Sequence, residues 1–198
     1  MLSKNIIKMQ ELSQKLYFTV AEVAETLGIQ VPSASVFCSR YVKKGLLVKL
    51  KNNYFTTALK WQNISDQELR QIANILQVPS YISFMSALSY YEVTSQMQQG
   101  FIESAALKRT IKYEANGVVF KYYKLQKKYY GDFVRQGNQF IATKEKAFLD
   151  AMYLYSFGKY KIDLDSLDLS KLDQAKIIKM LKPYPAKTRK IVRIICKI

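Results

Sequence analysis

The sequence contains no histidine, only two cysteines and four prolines, and 15 acidic residues against 31 basic ones. Without histidine there is no Ser-His-Asp triad, no Cys-His dyad, no imidazole base and no histidine-ligated metal. Cys38 and Cys196 lie far apart in sequence, which leaves no zinc cluster and no expected disulfide, and fits a reduced, cytoplasmic chain. No apolar run approaches the roughly 18 residues that a bilayer span needs, and Met1 to Gln10 lacks the apolar segment of a signal peptide. The expectation is a soluble, non-enzymatic protein with no membrane partner, no cofactor, and neither a catalytic nor a metal site.

What is present is a globular composition, with 49% hydrophobic and 13% aromatic residues among 198. A disordered chain of this charge would carry far fewer Ile, Leu, Phe and Tyr. The net charge of +16 favours a polyanionic partner, and nucleic acid comes before anionic membrane or acidic protein.

From Leu2 to Leu16, apolar residues recur at helical spacing and predict a first amphipathic helix. Thr19 stands three residues before Glu22, the spacing of a capping box, and Phe18 can staple onto Val23. The second, short helix runs to about Leu27 and stops at Gly28. Pro32 opens a third helix that extends to about Lys44, with Gly45 beyond it. On its wheel Ala34, Phe37, Cys38 and Tyr41 share one face, while Ser33, Ser35, Val36, Ser39, Arg40, Lys43 and Lys44 occupy the opposite arc and its flanks. Leu46–Leu50 and Tyr54–Thr56 bracket Lys51-Asn52-Asn53 as a hairpin.

Helix, turn, helix and basic hairpin in that order predict a winged helix-turn-helix over residues 1–57. Ser35, Ser39 and Lys43 are candidates for base edges. Arg40, Lys44, Lys49 and Lys51 are candidates for phosphate, and Ser33 and Asn52 complete the DNA-binding candidates of this domain.

Residues 58–198 read as a larger α+β domain with an antiparallel sheet and C-terminal helices. Ala58–Gln77 is expected as one connector helix, carrying a second capping box at Ser65 and Glu68. Ser83 is expected to cap a short helix, strands follow at about 101–105, 110–113, 118–125 and 133–141, and Asn116-Gly117 marks a hairpin. Thr143 then caps a helix with Ala147, Phe148, Ala151, Met152 and Tyr155 at helical period.

The segments Tyr81-Ile82-Ser83-Phe84-Met85-Ser86-Ala87-Leu88 and Ile141-Ala142-Thr143-Lys144-Glu145-Lys146-Ala147-Phe148-Leu149-Asp150, behind a winged helix, resemble the paired signature of the AbiEi antitoxin family. Lys144 departs from the pattern, which often has proline there. The resemblance spans nearly the whole chain and implies an autorepressor of a type IV toxin-antitoxin operon of phage defence. It also implies a nucleotidyltransferase-like cognate toxin as partner. The DNA partner would be double-stranded promoter DNA with inverted repeats, bound by a monomer or weak dimer that pairs on it. No catalytic residue is carried over. The matched apolar residues read as core, and Glu145 and Asp150, five apart, do not share a helix face.

The C-terminal stretch from Lys182 to Ile198 holds six cations and no acid, so Lys187, Arg189, Lys190 and Arg193 form a second candidate DNA-backbone patch. Lysines and tyrosines interleave between Lys108 and Tyr130, read here as a sheet surface and its core. Asp163, Asp165, Asp168 and Asp173 fail the calcium-loop spacing and read as caps and turn formers. Two rival classes stay open: a protein-binding antitoxin with little specific DNA binding, and a nuclease or nucleotidyltransferase using those aspartates.

Overall fold

Short-range signals set the order of the elements. The computed structural model describes residues 11–96 and 99–198. The helix expected over Leu2–Leu16 lies largely outside them; residues 11–13 are helical and Leu12 is buried. The fold is mixed α+β and divides into two compact units, one of Met1–Ile72 with Tyr113–Val118, the other of Ala73–Lys112 with Val119–Ile198.

The first unit runs β1 (Phe18–Thr19), α1 (Val20–Leu27), α2 (Val31–Lys43), β2 (Leu47–Lys51), β3 (Tyr54–Thr57) and α3 (Ala58–Gln62). The capping box forms as its spacing demands: the Glu22 amide donates to the Thr19 hydroxyl at 3.3 Å, and the Thr19 amide donates to Glu22 Oε2 at 2.8 Å. Gly28 ends α1 at φ +67°, where a side chain would be strained. The three strands are antiparallel in the order β1-β3-β2, with Phe18 opposite Phe55. β1 escapes sequence reading because two residues cannot display a period. Leu12, Phe18, Val23, Ala34, Cys38, Leu47 and Phe55 share one core.

The expected single connector helix is instead two helices, α3 and α4 (Asp66–Leu76). Asn63 ends α3, and the chain restarts on its own capping box: the Ser65 amide donates to Glu68 Oε2 at 3.1 Å and the Glu68 amide to Ser65 Oγ at 3.3 Å. A box strong enough to start a helix also breaks the one before it, because its Ser must leave helical geometry.

The second sheet has six strands: β4 (Ser80–Ile82), β5 (Phe101–Ala106), β6 (Ile111–Ala115), β7 (Val118–Lys124), β8 (Phe133–Gln136) and β9 (Gln139–Ala142), in the order β6-β7-β5-β4-β9-β8. It is mixed, which corrects the expected antiparallel sheet: β5 pairs with β7 in parallel, and β4 with β9 in parallel. The cause is topological. The chain leaving β5 skips one strand position, and the Asn116-Gly117 turn, both residues at positive φ, folds β7 back into the gap beside β5. β4 is wholly buried, so its three residues carry no alternation.

Around this sheet stand α5 (Phe84–Tyr90), α6 (Lys144–Ser156), α7 (Gln174–Leu181) and α8 (Ala186–Cys196). Helix α6 packs against α5, α7 and α8 and is buried along almost its whole length. Its polar residues are therefore inside. Asp150 accepts hydrogen bonds from the Tyr81 hydroxyl at 2.9 Å and the Ser83 hydroxyl at 2.7 Å, and pairs with Lys146, which also donates to the Tyr184 hydroxyl at 3.2 Å. Burial pushes the Asp150 carboxyl up, against the pull of Lys146, Ser83 and Tyr81.

Ser83 thus spends its hydroxyl on Asp150 and does not cap α5, contrary to expectation. Glu103 from β5 takes that role. Its Oε2 accepts from the Met85 amide at 3.1 Å and from the Tyr160 hydroxyl at 2.7 Å, and its Oε1 from the Tyr123 hydroxyl at 3.3 Å. A buried carboxylate with three donors outcompetes a hydroxyl for the helix amide. Among the described residues, no helix is long and apolar enough to cross a membrane.

Candidate nucleic-acid interface

Helix α2 turns Ala34 and Cys38, four residues apart, into the core of its unit, and Phe37 stacks on Tyr41 at 4.0 Å beside them. The opposite arc is therefore presented outward: Ser33, Ser35, Val36, Ser39, Arg40 and Lys43 are all exposed. The helix has no acidic residue, and Arg40 and Lys43 occupy its last turn, where cations also suit the negative end of the helix dipole. Lys44 follows, its Nζ 5.8 Å from the Tyr41 ring centre. Cys38 is fully buried and its thiol is pushed up by that burial, which makes it a core residue.

The β2–β3 hairpin supplies Lys49 and Asn52, both exposed, and Lys51, half-buried with its Nζ 4.2 Å from the Tyr54 ring centre. Pairing shifts register between Lys49 and Lys51, a bulge that twists the hairpin near its tip. The sequence marks Asn53 only as a turn former. It sits at φ +68°, and its Oδ1 accepts from the Val20 amide at 3.2 Å, joining the hairpin tip to the start of α1. Only the positive-φ tolerance of asparagine was visible beforehand.

Among the described residues, no carboxylate pairs with Arg40, Lys43, Lys44 or Lys49. The Ser39 hydroxyl donates to the Ser35 carbonyl at 2.9 Å, which occupies its proton and leaves its oxygen lone pairs outward. The arc is therefore a row of small acceptors and unpaired cations.

The second candidate patch lies on α8, in the other unit. Lys187, Lys190 and Arg193 are exposed. Arg189 departs from its expected exposure: it is half-buried, and its Nη1 donates to the carbonyls of Lys182 at 3.2 Å and Tyr184 at 3.1 Å. The guanidinium is held by the chain just beyond α7 because carbonyls left over at a helix end need a donor.

The aspartates between 163 and 173 act locally. Asp163 accepts from the Asp165 amide at 3.2 Å and from Gln96 at 3.0 Å, Asp168 from the Ser170 amide at 3.1 Å, and Asp173 caps α7 through the Lys176 amide at 3.1 Å. Glu145 accepts from the Asp173 amide at 3.2 Å, whereas Asp150 faces Lys146, so these two carboxylates have different partners. Among the described residues, no group of three or more Cys, Asp or Glu side chains is placed to hold a metal ion.

No family model matches the chain, and no curated protein matches it in sequence. Among solved structures it is similar to the crystal structure of the Rv2827c protein from Mycobacterium tuberculosis, with a TM-score of 0.61 at 12% identity, over 93% of this chain and 72% of that one. At that identity the likeness is one of fold.

Proposed function

We propose that the first unit is a winged helix-turn-helix that binds double-stranded DNA, with α2 in the major groove and the β2–β3 hairpin as the wing on the adjacent backbone. The observation that carries this reading is the outward arc of α2. It combines Ser35 and Ser39 with Arg40, Lys43 and Lys44, has no acid among them, and stands in one unit with Lys49 and Lys51. Small side chains let a helix approach base edges, and cations beside them neutralise phosphates. The resemblance of residues 81–88 and 141–150 to AbiEi antitoxins extends the proposal to repression of the protein's own operon and to neutralising a nucleotidyltransferase-like toxin.

The test is fluorescence-anisotropy titration of the full chain against its own upstream promoter and a scrambled duplex across a salt series. Tight binding to the promoter alone, weakened by Arg40→Ala and Lys43→Ala, is the expected result. Equal and steeply salt-dependent binding to both duplexes would reduce the +16 charge to general affinity and overturn the operator reading.

A further inference from the structure

The second unit contains a cleft of about 780 Å³ that the DNA-reading proposal does not use. Its walls come from β7, the turn after it, and the end of α6. Lys121 and Lys124 stand on β7, Lys128 on the following 3-10 turn, and Lys159 beyond α6. Among the described residues no acidic side chain lines the cleft. Among the described residues none of these lysines is held in an ion pair, so their charge is not locally cancelled.

The rest of the lining is aromatic and has a definite order. Tyr129 and Tyr153 are buried; Tyr129 stacks on Tyr184, 4.7 Å apart and 11° from parallel, and Tyr153 meets both rings at a steep tilt, which makes an aromatic floor. Tyr123 spends its hydroxyl on Glu103, which holds that ring in the wall. Phe157 closes the edge of the cleft and is 44% exposed, a large apolar ring left in water directly behind α6. Lys187 from α8 stands 5.6 Å from its centre.

An exposed ring over a stacked aromatic floor, ringed by unpaired lysines, matches two features that occur together in one class of molecule: a planar base and a phosphate. We propose that this cleft binds a nucleotide unit, its base against Phe157 and its phosphate among Lys121, Lys124 and Lys128. The unit is either a free nucleotide or an unpaired nucleotide of a single strand. The volume is within the range of small-molecule sites and larger than one base requires, so a short strand also fits. The inference is independent of the winged-helix reading, because every lining residue belongs to the second unit.

The experiment titrates the full chain with a fluorescein-labelled single-stranded hexanucleotide, with ATP, and with tripolyphosphate, and compares Phe157→Ala and the double variant Lys124→Ala, Lys128→Ala. All three positions are exposed, and circular dichroism of each variant confirms folding before titration. Phe157→Ala is expected to weaken the hexanucleotide or ATP at least ~5-fold. The lysine pair is expected to lower the salt slope of hexanucleotide binding by about 1.4. Tighter binding of the hexanucleotide than of ATP assigns the site to single strands, and the reverse assigns it to free nucleotides. Tripolyphosphate binding as tight as ATP, or affinities that ignore Phe157→Ala, would overturn the proposal. Promoter-duplex binding of the unsubstituted chain is titrated separately, so failure here and failure of duplex recognition are read apart.

Discussion

Asn53 Oδ1 accepts the amide hydrogen of Val20, 3.2 Å away across 33 residues of chain. The bond joins the tip of the β2–β3 hairpin to the first turn of α1, the helix that packs on α2. It fixes the hairpin against the helical layer through one side chain. Asn53→Gly keeps the left-handed turn and removes the acceptor, at a cost of roughly 1 kcal/mol. Asn53→Ala loses the acceptor and also pays for positive φ, so it should cost about 1 kcal/mol more. Urea denaturation of both variants measures the step between them; equal midpoints would mean that the turn conformation is not strained by a Cβ.

On α2 and the hairpin, the two kinds of contact make different predictions. Lys49→Ala should lower the slope of log affinity against log salt by about one and weaken promoter and scrambled duplex alike. If α2 reads the major groove as proposed, Lys43→Ala should instead narrow the gap between the two duplexes, because it would remove a base-edge contact worth about 1–3 kcal/mol. Ser39→Ala should act in the same direction but more weakly, since its proton is already given to Ser35. Anisotropy titrations at three salt concentrations separate the two patterns. If Lys43→Ala and Lys49→Ala behave identically, α2 is not the reading helix.

The pair Lys146 and Asp150 sits inside the second unit with Tyr81, Ser83 and Tyr184 around it. Asp150→Ala leaves a buried ammonium with no counter-charge, held only by the Tyr184 hydroxyl, and should cost about 3–5 kcal/mol. Lys146→Met leaves a carboxyl that can remain protonated, because its burial already pushes it up, so it should cost less. The double variant Lys146→Met, Asp150→Ala should be more stable than Asp150→Ala alone, which a double-mutant cycle in urea detects. Additive losses would show that the two charges do not act as a unit.

The same pair explains where sequence reading stops. The signals of local order were legible: Thr19 with Glu22, Ser65 with Glu68, Gly28, Asn116-Gly117 and the cap at Thr143 all do what their spacing predicts. The outward arc of α2 is legible too, because Ala34 and Cys38 repeat at the helical period on one face while Ser35, Ser39 and Lys43 fall on another. Contacts between distant segments were not. Residues 81–88 and 141–150 resemble one paired signature, and in the sequence only their apolar positions read as core. The structure joins them through the parallel pairing of Ile82 with Ile141 and also through polar residues, with Tyr81 and Ser83 meeting Asp150 across 69 and 67 residues. Nothing in a single sequence marks a serine as a buried donor instead of a helix cap. The parallel strand pairs, the two-residue β1 and the three-residue β4 failed for a related reason, since each depends on a partner elsewhere in the chain.

Glu103 makes the fold respond to pH. Burial raises its carboxyl from 4.5 to about 7, although Tyr160, the Met85 amide and Tyr123 all donate to it and pull the other way. A group whose folded value lies above its unfolded one holds its proton more tightly in the folded state. Stability is therefore complete below pH ~4.5 and declines as pH rises toward ~7, by on the order of 3 kcal/mol in all. Glu103→Gln removes the titration and keeps the shape. Urea denaturation of both proteins from pH 4.5 to 8 should show the variant gaining on the parent across that window and a constant gap above it. Parallel curves would mean that the hydrogen bonds from Tyr123 and Tyr160 fully offset the burial. A gap that opens locates the cost of keeping a carboxylate at the start of α5, and with it the reason a neutral side chain there would make a more stable protein at neutral pH.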